Sequence, residues 1–149
     1  MAPRIIMKTQ GIPELIVSLR HTGERVADTA RKHMHRIADR IVKEARLNAP
    51  VDKHNLEESI HKEVDYGYRG RLNISIVMGG VVNGVNVDKY VLEVHESYSR
   101  MKPGPNTLAK MAANPGRKIG EKFLERALEE NQDKLEKALI EGVLKEWRL

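Results

Sequence analysis

The pattern that most restricts this chain is a one-sided apolar stripe that stops at a proline. Val26, Ala30, Met34, Ile37, Ile41 and Ala45 recur at spacings of four and three. That periodicity places them on one face of a helix running from about 24 to 48. Arg31, Lys32, Arg36, Arg40 and Lys43 fall mostly on other faces, and Glu24 and Asp28 sit near the positive end of the helix dipole. Pro50 ends the run, because its ring disfavours helical geometry in the residue before it. The apolar face then has to be covered by a second layer supplied from the rest of the chain.

From about residue 60 the period shifts towards two. "HKEVDY", "RLNISIVM" and "KYVLEVHE" are rich in β-branched and aromatic residues and read as strands. "YGYRG" (66–70) and "GGVVNGVN" (79–86) separate them, with glycines and Asn83-Gly84 marking turns. In the middle strand Leu72, Ile74, Ile76 and Met78 share one face, opposite Asn73, Ser75 and Val77, as a sheet with one buried face requires. An antiparallel meander is expected. A final amphipathic helix from about 120 to 147 carries Leu124, Leu128, Leu135, Leu139 and Val143, with Ala127, Ala138 and Trp147 adding to the stripe. Ahead of the first helix, residues 1–10 suit an extended arm, with a short strand at "MAPRIIMK" (1–8) as the alternative, and "PELIVSLR" a brief helix opened by Pro13 and bent off at Gly23. The sum is one α+β domain over 1–149. Its long N-terminal and C-terminal helices pack on a small antiparallel sheet of three to four strands.

The 149 residues are 40% hydrophobic and 32% charged, the balance of a folded chain with one modest core. With one Phe and one Trp, that core is mainly aliphatic. No cysteine is present, which excludes disulfides, thiolate metal sites and a Cys nucleophile. No apolar run approaches the roughly 20 residues of a membrane span, and the N-terminus lacks a signal-peptide core, so a cytosol-like setting without a membrane partner is expected. The net charge of +5 is concentrated. Arg100, Lys102, Lys110, Arg117 and Lys118 lie in a long connection, 97–120, that has no acidic residue. The connection also holds Pro103, Pro105 and Pro115, with a short helical turn expected at "TLAKMAA". Such a segment either stays solvated or meets phosphate or an acidic protein surface. Long uncovered connections in compact domains are usually functional or order on assembly.

Catalytic and metal chemistry find little support. His54 and His61 would share a helical face with Glu58 between them, but the zincin pattern His-Glu-x-x-His is absent. His33 and His35 lack a carboxylate or nucleophile at a recognised spacing and are expected at the surface. In "VHE" (94–96), strand alternation would point His95 and Glu96 to opposite faces. "GGVVNG" lacks the Lys-Ser/Thr of a phosphate loop. No catalytic residue, metal ligand or cofactor is therefore assigned. The stretch "APVDKHNLEESI" (49–60) reads instead as a corner. Pro50 stops one helix, Asp52 caps the next, and Val51 with Leu56 forms a hydrophobic staple. Asn55 with Glu58 offers a competing capping box, and Leu56 and Ile60 face the core. A non-specific nucleic-acid-binding protein is the alternative, acting through the basic helix, Arg20, Arg25 and the basic loop. Aromatic residues are too few for a single-strand stacking platform.

Taken together, "EARLNAPVDKHNLEESI" (44–60), "YVLEVHE" (90–96) and "KFLERALEEN" (122–131) make the chain resemble the tail-component, or tail-completion, family of tailed bacteriophages. The likeness runs in order over about 12–145 and includes Leu56, Ser59 and Ile60 of the corner. Two places depart from the family pattern. Lys53-His54 stand where the turn usually reads Thr-Gly, and Ser97-Tyr98 where Gly-Thr is common. The resemblance implies a structural virion protein without catalysis. It would be a tail-completion, tail-terminator or head–tail joining subunit, made in the host cytoplasm and forming a hexameric ring at the neck or tail top. Its partners would be copies of itself, the adjoining head–tail connector or tail tube, and phage DNA through non-specific contact. A closing ring needs two different patches per subunit. Candidates for them are Tyr90, His95, Glu96, Arg100, Lys102, Lys110, Arg117, Lys118, Phe123 and Leu124, with the N-terminal arm and exposed helix faces as the complement.

Overall fold

The computed structural model describes residues 24–67 and 72–147. The expected arm at 1–10, the brief helix after Pro13, the bend at Gly23, Arg20, the side chains of Arg25 and Trp147, and most of the "YGYRG" turn lie outside them.

Helix α1 spans Glu24–Asn48, as the stripe and Pro50 predict. All six stripe residues are buried, and Ala27, Ala38 and Val42 widen the face. Helix α5, Phe123–Trp147, lies antiparallel along α1. Three contacts fix that direction. Asn48 Nδ2 donates to the Phe123 carbonyl at 3.3 Å, and Asn131 Nδ2 to Glu44 at 2.8 Å. Further along, Gly142 sits under His33, where an added Cβ would stand 2.6 Å from Nε2. His33, expected at the surface, is instead half-buried on this glycine. Burial pushes the Glu44 carboxyl up, but hydrogen bonds from Asn131 and Arg40 and the charges of Arg40 and Lys134 outweigh it and hold the group below its ordinary range.

In the chain between the two long helices, β1 (His61–Tyr66) pairs antiparallel with β2 (Leu72–Val77), His61 opposite Val77 and Tyr66 opposite Leu72. Leu72, Ile74, Ile76 and Met78 are buried, as the alternation predicts, each stabilising by about 1.5–3 kcal/mol. A second pair, β3 (Val81–Val82) with β4 (Val85–Asn86), turns through Asn83-Gly84. Both turn residues have positive φ (50 and 77°), the conformation that matches the right-handed strand twist.

Two expectations are corrected here. Among the described residues the strands form two separate two-stranded pairs, not one meander of three to four strands. And "KYVLEVHE" is not a strand. A 3₁₀ turn at Val87–Lys89 leads into helix α3, Val91–Ser97. Val87, Val91 and His95 recur every four residues and are all buried, so tertiary burial outweighs the β-propensity of the valines. The Asn86 side chain starts the turn by accepting from the Asp88 amide at 3.1 Å. Asp88 in turn accepts from the Gly80 amide at 2.8 Å, over a Gly79 that has no room for a Cβ. Helix α2 covers Asn55–Ser59 and α4 covers Pro105–Ala113, giving an α+β architecture dominated by the two long helices.

Candidate assembly surface

The corner after α1 is built from the inside. Ala49, Pro50 and Val51 are buried, as are Leu56, Ser59 and Ile60. Ser59 Oγ donates to the Leu56 carbonyl (2.6 Å), and the Arg46 guanidinium reaches the Ile60 carbonyl with two N–H groups (3.0 and 2.7 Å). The capping expectation fails. Asp52 is exposed, and the N-cap residue of α2 is His54, left-handed at φ 64°, whose side chain makes no capping hydrogen bond. Asn55 and Glu58 do not form a capping box either. Both accept from Asn83 Nδ2 (3.2 and 3.0 Å), which ties α2 to the β3–β4 turn. His54 and His61 share no helical face. His54 Nδ1 lies 3.0 Å from Glu57, whereas His61 opens β1 with Nδ1 2.8 Å from the Ser59 carbonyl. Among the described residues no three His, Asp or Glu side chains gather as metal ligands.

The basic connection is more ordered than the expected loop with one helical turn. Its nine-residue helix α4 docks on the corner through polar side chains. Thr107 Oγ1 donates to the Val51 carbonyl (2.8 Å) and accepts from the Val51 amide (3.0 Å). Asn106 Nδ2 donates to the Asp52 carbonyl at 2.6 Å. Lys110 Nζ donates to the carbonyls of Arg46 (2.6 Å) and Ala49 (2.7 Å) and pairs with the Glu57 carboxylate. A lysine there satisfies orphan carbonyls at the negative end of the α1 dipole. Arg117 Nη1 donates to Asn48 Oδ1 (2.9 Å), and the Gly120 amide to the Asn48 carbonyl (3.0 Å). Of the five basic residues, Lys110 and Arg117 are thus turned inward, while Arg100, Lys102 and Lys118 are exposed.

A second junction fastens the two ends of this segment. Because 94–96 is helical, His95 and Glu96 are brought together, contrary to the strand expectation. His95 Nδ1 lies 2.9 Å from Glu96 Oε1, and Glu96 also pairs with Lys122. The Lys122 amide donates to the His95 carbonyl at 2.7 Å, and Lys122 Nζ is 3.4 Å from Glu125. The His95 ring is fully buried, edge-on to Phe123 with centroids 4.8 Å apart, and its Nε2 has no hydrogen-bond partner among the described residues. Burial pushes the imidazole below its ordinary range despite the opposing Glu96 contact. Lys122, then His95, hold the Glu96 carboxyl down.

His95, Phe123 and Leu124 therefore present no surface in this fold. They are core. Tyr90 is half-buried. With Val51, Leu56, Val85, Tyr98 and Met101 it lines a groove of about 480 Å³ beside the corner. Burial and the neighbouring Asp52 carboxylate push the Tyr90 phenol up. The residues that sequence reasoning passed over are Asn48, Asn106, Thr107 and Asn114. Their signal was a polar stripe, Thr107, Lys110 and Asn114, at helical spacing.

A family model for HK97-gp10-like bacteriophage tail components matches residues 14–99, more than half of the chain. The match includes α1, the corner, both strand pairs and α3, and it ends before α4 and α5. Comparison with curated proteins and with solved structures gives no match.

Proposed function

The chain belongs to the HK97-gp10-like family of bacteriophage tail components, and on that premise we propose that it is the subunit that completes the tail and joins it to the head. In this reading copies of the chain assemble in the host cytoplasm into a closed ring, hexameric in the simplest case. The ring sits at the neck or tail top, against the head connector or the tail tube. The observation that carries the finer role is the basic segment. It is acid-free, it is fastened to the corner at Val51 and Asn48, and it leaves Arg100, Lys102 and Lys118 facing outward. A rigid surface with a single sign of charge suits a complementary protein neighbour.

The nucleic-acid alternative is weakened on α1. Arg31 pairs with Asp28 (3.2 Å) and Arg40 with Glu44 (3.2 Å), which divides the basic face by carboxylates. The test is electron microscopy of particles made without the chain. Separate heads and tails are expected, and normally joined particles would sink the proposal. Duplex binding by the free protein that falls steeply with salt would favour the alternative.

A further inference from the structure

Helix α4 is amphipathic in the inverted sense. Its inward residues Thr107 and Lys110 are polar and bind backbone or carboxylate at the corner, half-buried Met111 shares their face, and Asn114 closes the helix, its Nδ2 donating to the Lys110 carbonyl at 2.9 Å. Its outward residues, Pro105, Leu108, Ala109, Ala112 and Ala113, are all apolar and exposed, with Leu108 54% accessible. An exposed helix ordinarily turns its polar face to water. A small, tightly held helix with the opposite arrangement has an outer face suited to being covered.

The complementary surface is on the same chain. The outer stripe of α5 runs Glu129, Asp133, Glu136, Ile140 and Leu144, at spacings of four, three, four and four. All five are exposed, Ile140 at 52% and Leu144 at 46%, and Lys137 flanks them. This stripe places three carboxylates beside two aliphatic side chains. In the chain, the α4 face with Leu108 and its alanines is flanked by exposed Arg100, Lys102 and Lys118, in a stretch with no acid of its own.

We infer that the outer face of α4 in one copy receives the outer stripe of α5 of a second copy. This rests on the ring reading above and names its two patches. The interface is heterologous, so each copy keeps a free α4 face and a free α5 stripe until the ring closes. Leu108 and Ala112 pack on Ile140 and Leu144, while the exposed cations meet Glu129, Asp133 and Glu136 and set register.

The absence of cysteine makes a direct test available. Leu108→Cys and Ile140→Cys are made separately, mixed under oxidation, and followed both in purified full-length protein and in assembled particles. The expected result is a mixed 108–140 disulfide above its statistical share, with little of either homodimer. A double variant should give a ladder of linked subunits that closes. Leu108→Lys should abolish the oligomer with circular dichroism unchanged. An oligomer that forms without 108–140 linkage overturns this interface alone. A chain that is monomeric in solution and unlinked in particles overturns the ring reading and the interface together.

Discussion

Helices α1 and α4 are both amphipathic, and they face opposite ways. The inner face of α1 is apolar from Val26 to Ala45, and its association with α5 is the main body of the hydrophobic core. The inner face of α4 is held to the corner by Thr107, Asn106 and Lys110, with Leu108 and the alanines outside. Burial of α1 therefore carries fold stability, whereas the hydrogen bonds of α4 carry placement. Directional bonds fix one orientation of a short helix without consuming its apolar face, which stays available to a neighbour.

The largest effect should come from the α1 side. Met34 is fully buried, and Met34→Ala should cost about 3 kcal/mol through lost burial and the cavity left behind. Denaturant unfolding should show it as a lower midpoint for the whole molecule. Lys110→Met keeps the stem of the side chain but leaves the Arg46 and Ala49 carbonyls and the Glu57 carboxylate without their donor. About 2 kcal/mol is expected. Hydrogen exchange should place the loss at 105–113 and the corner, with the centre of α1 still protected. Thr107→Val is close to isosteric and removes both bonds to Val51, for about 1.5 kcal/mol with the same local signature. If either α4 variant loosened α1 as much as Met34→Ala does, the division would be wrong.

A gentler way to load the junction between the two regions is acid. His95 is held below its ordinary value in the fold, so the unfolded chain takes up its proton first as pH falls below about 6.5. The unfolded state then binds more protons, and stability declines from that pH downward. Glu96 and Glu44, held below the carboxylate range, add their losses only at lower pH. Unfolding midpoints between about pH 7.5 and 5 should slope in wild type and flatten in His95→Gln. An equal slope in both would remove His95 from the account.

How legible these regions were in the sequence follows from the same inversion. Helix α1 and its end near Asn48 could be read, because a long apolar stripe of one period ends at Pro50. Strand β2 was legible for the matching reason at period two, Leu72 to Met78. Helix α3 was misread because Tyr90, Val91 and Val94 favour strands, while the four-residue recurrence that wins ends on a buried histidine. At the corner, Asp52 had the right chemistry for a cap, but left-handed His54 delays the helix to Asn55, which carries the Asn83 contact. Helix α4 was reduced to one turn because a search for apolar inner faces cannot detect a helix that docks through Thr107 and Lys110. Of the proposed interface residues, Arg100, Lys102 and Lys118 lie where a partner can reach them, whereas His95, Phe123 and Leu124 are core.

Deleting 99–117 would be a poor probe of this surface, since it removes Thr107 and Lys110 from the corner together with the outer face. A single outward substitution separates the two. Leu108→Lys changes an exposed side chain, so the isolated chain should keep its unfolding free energy to within about 0.5 kcal/mol. Phage carrying that variant, imaged by electron microscopy beside wild type, should accumulate unjoined heads and tails. A variant of unchanged stability that joins heads to tails as wild type does would contradict the account.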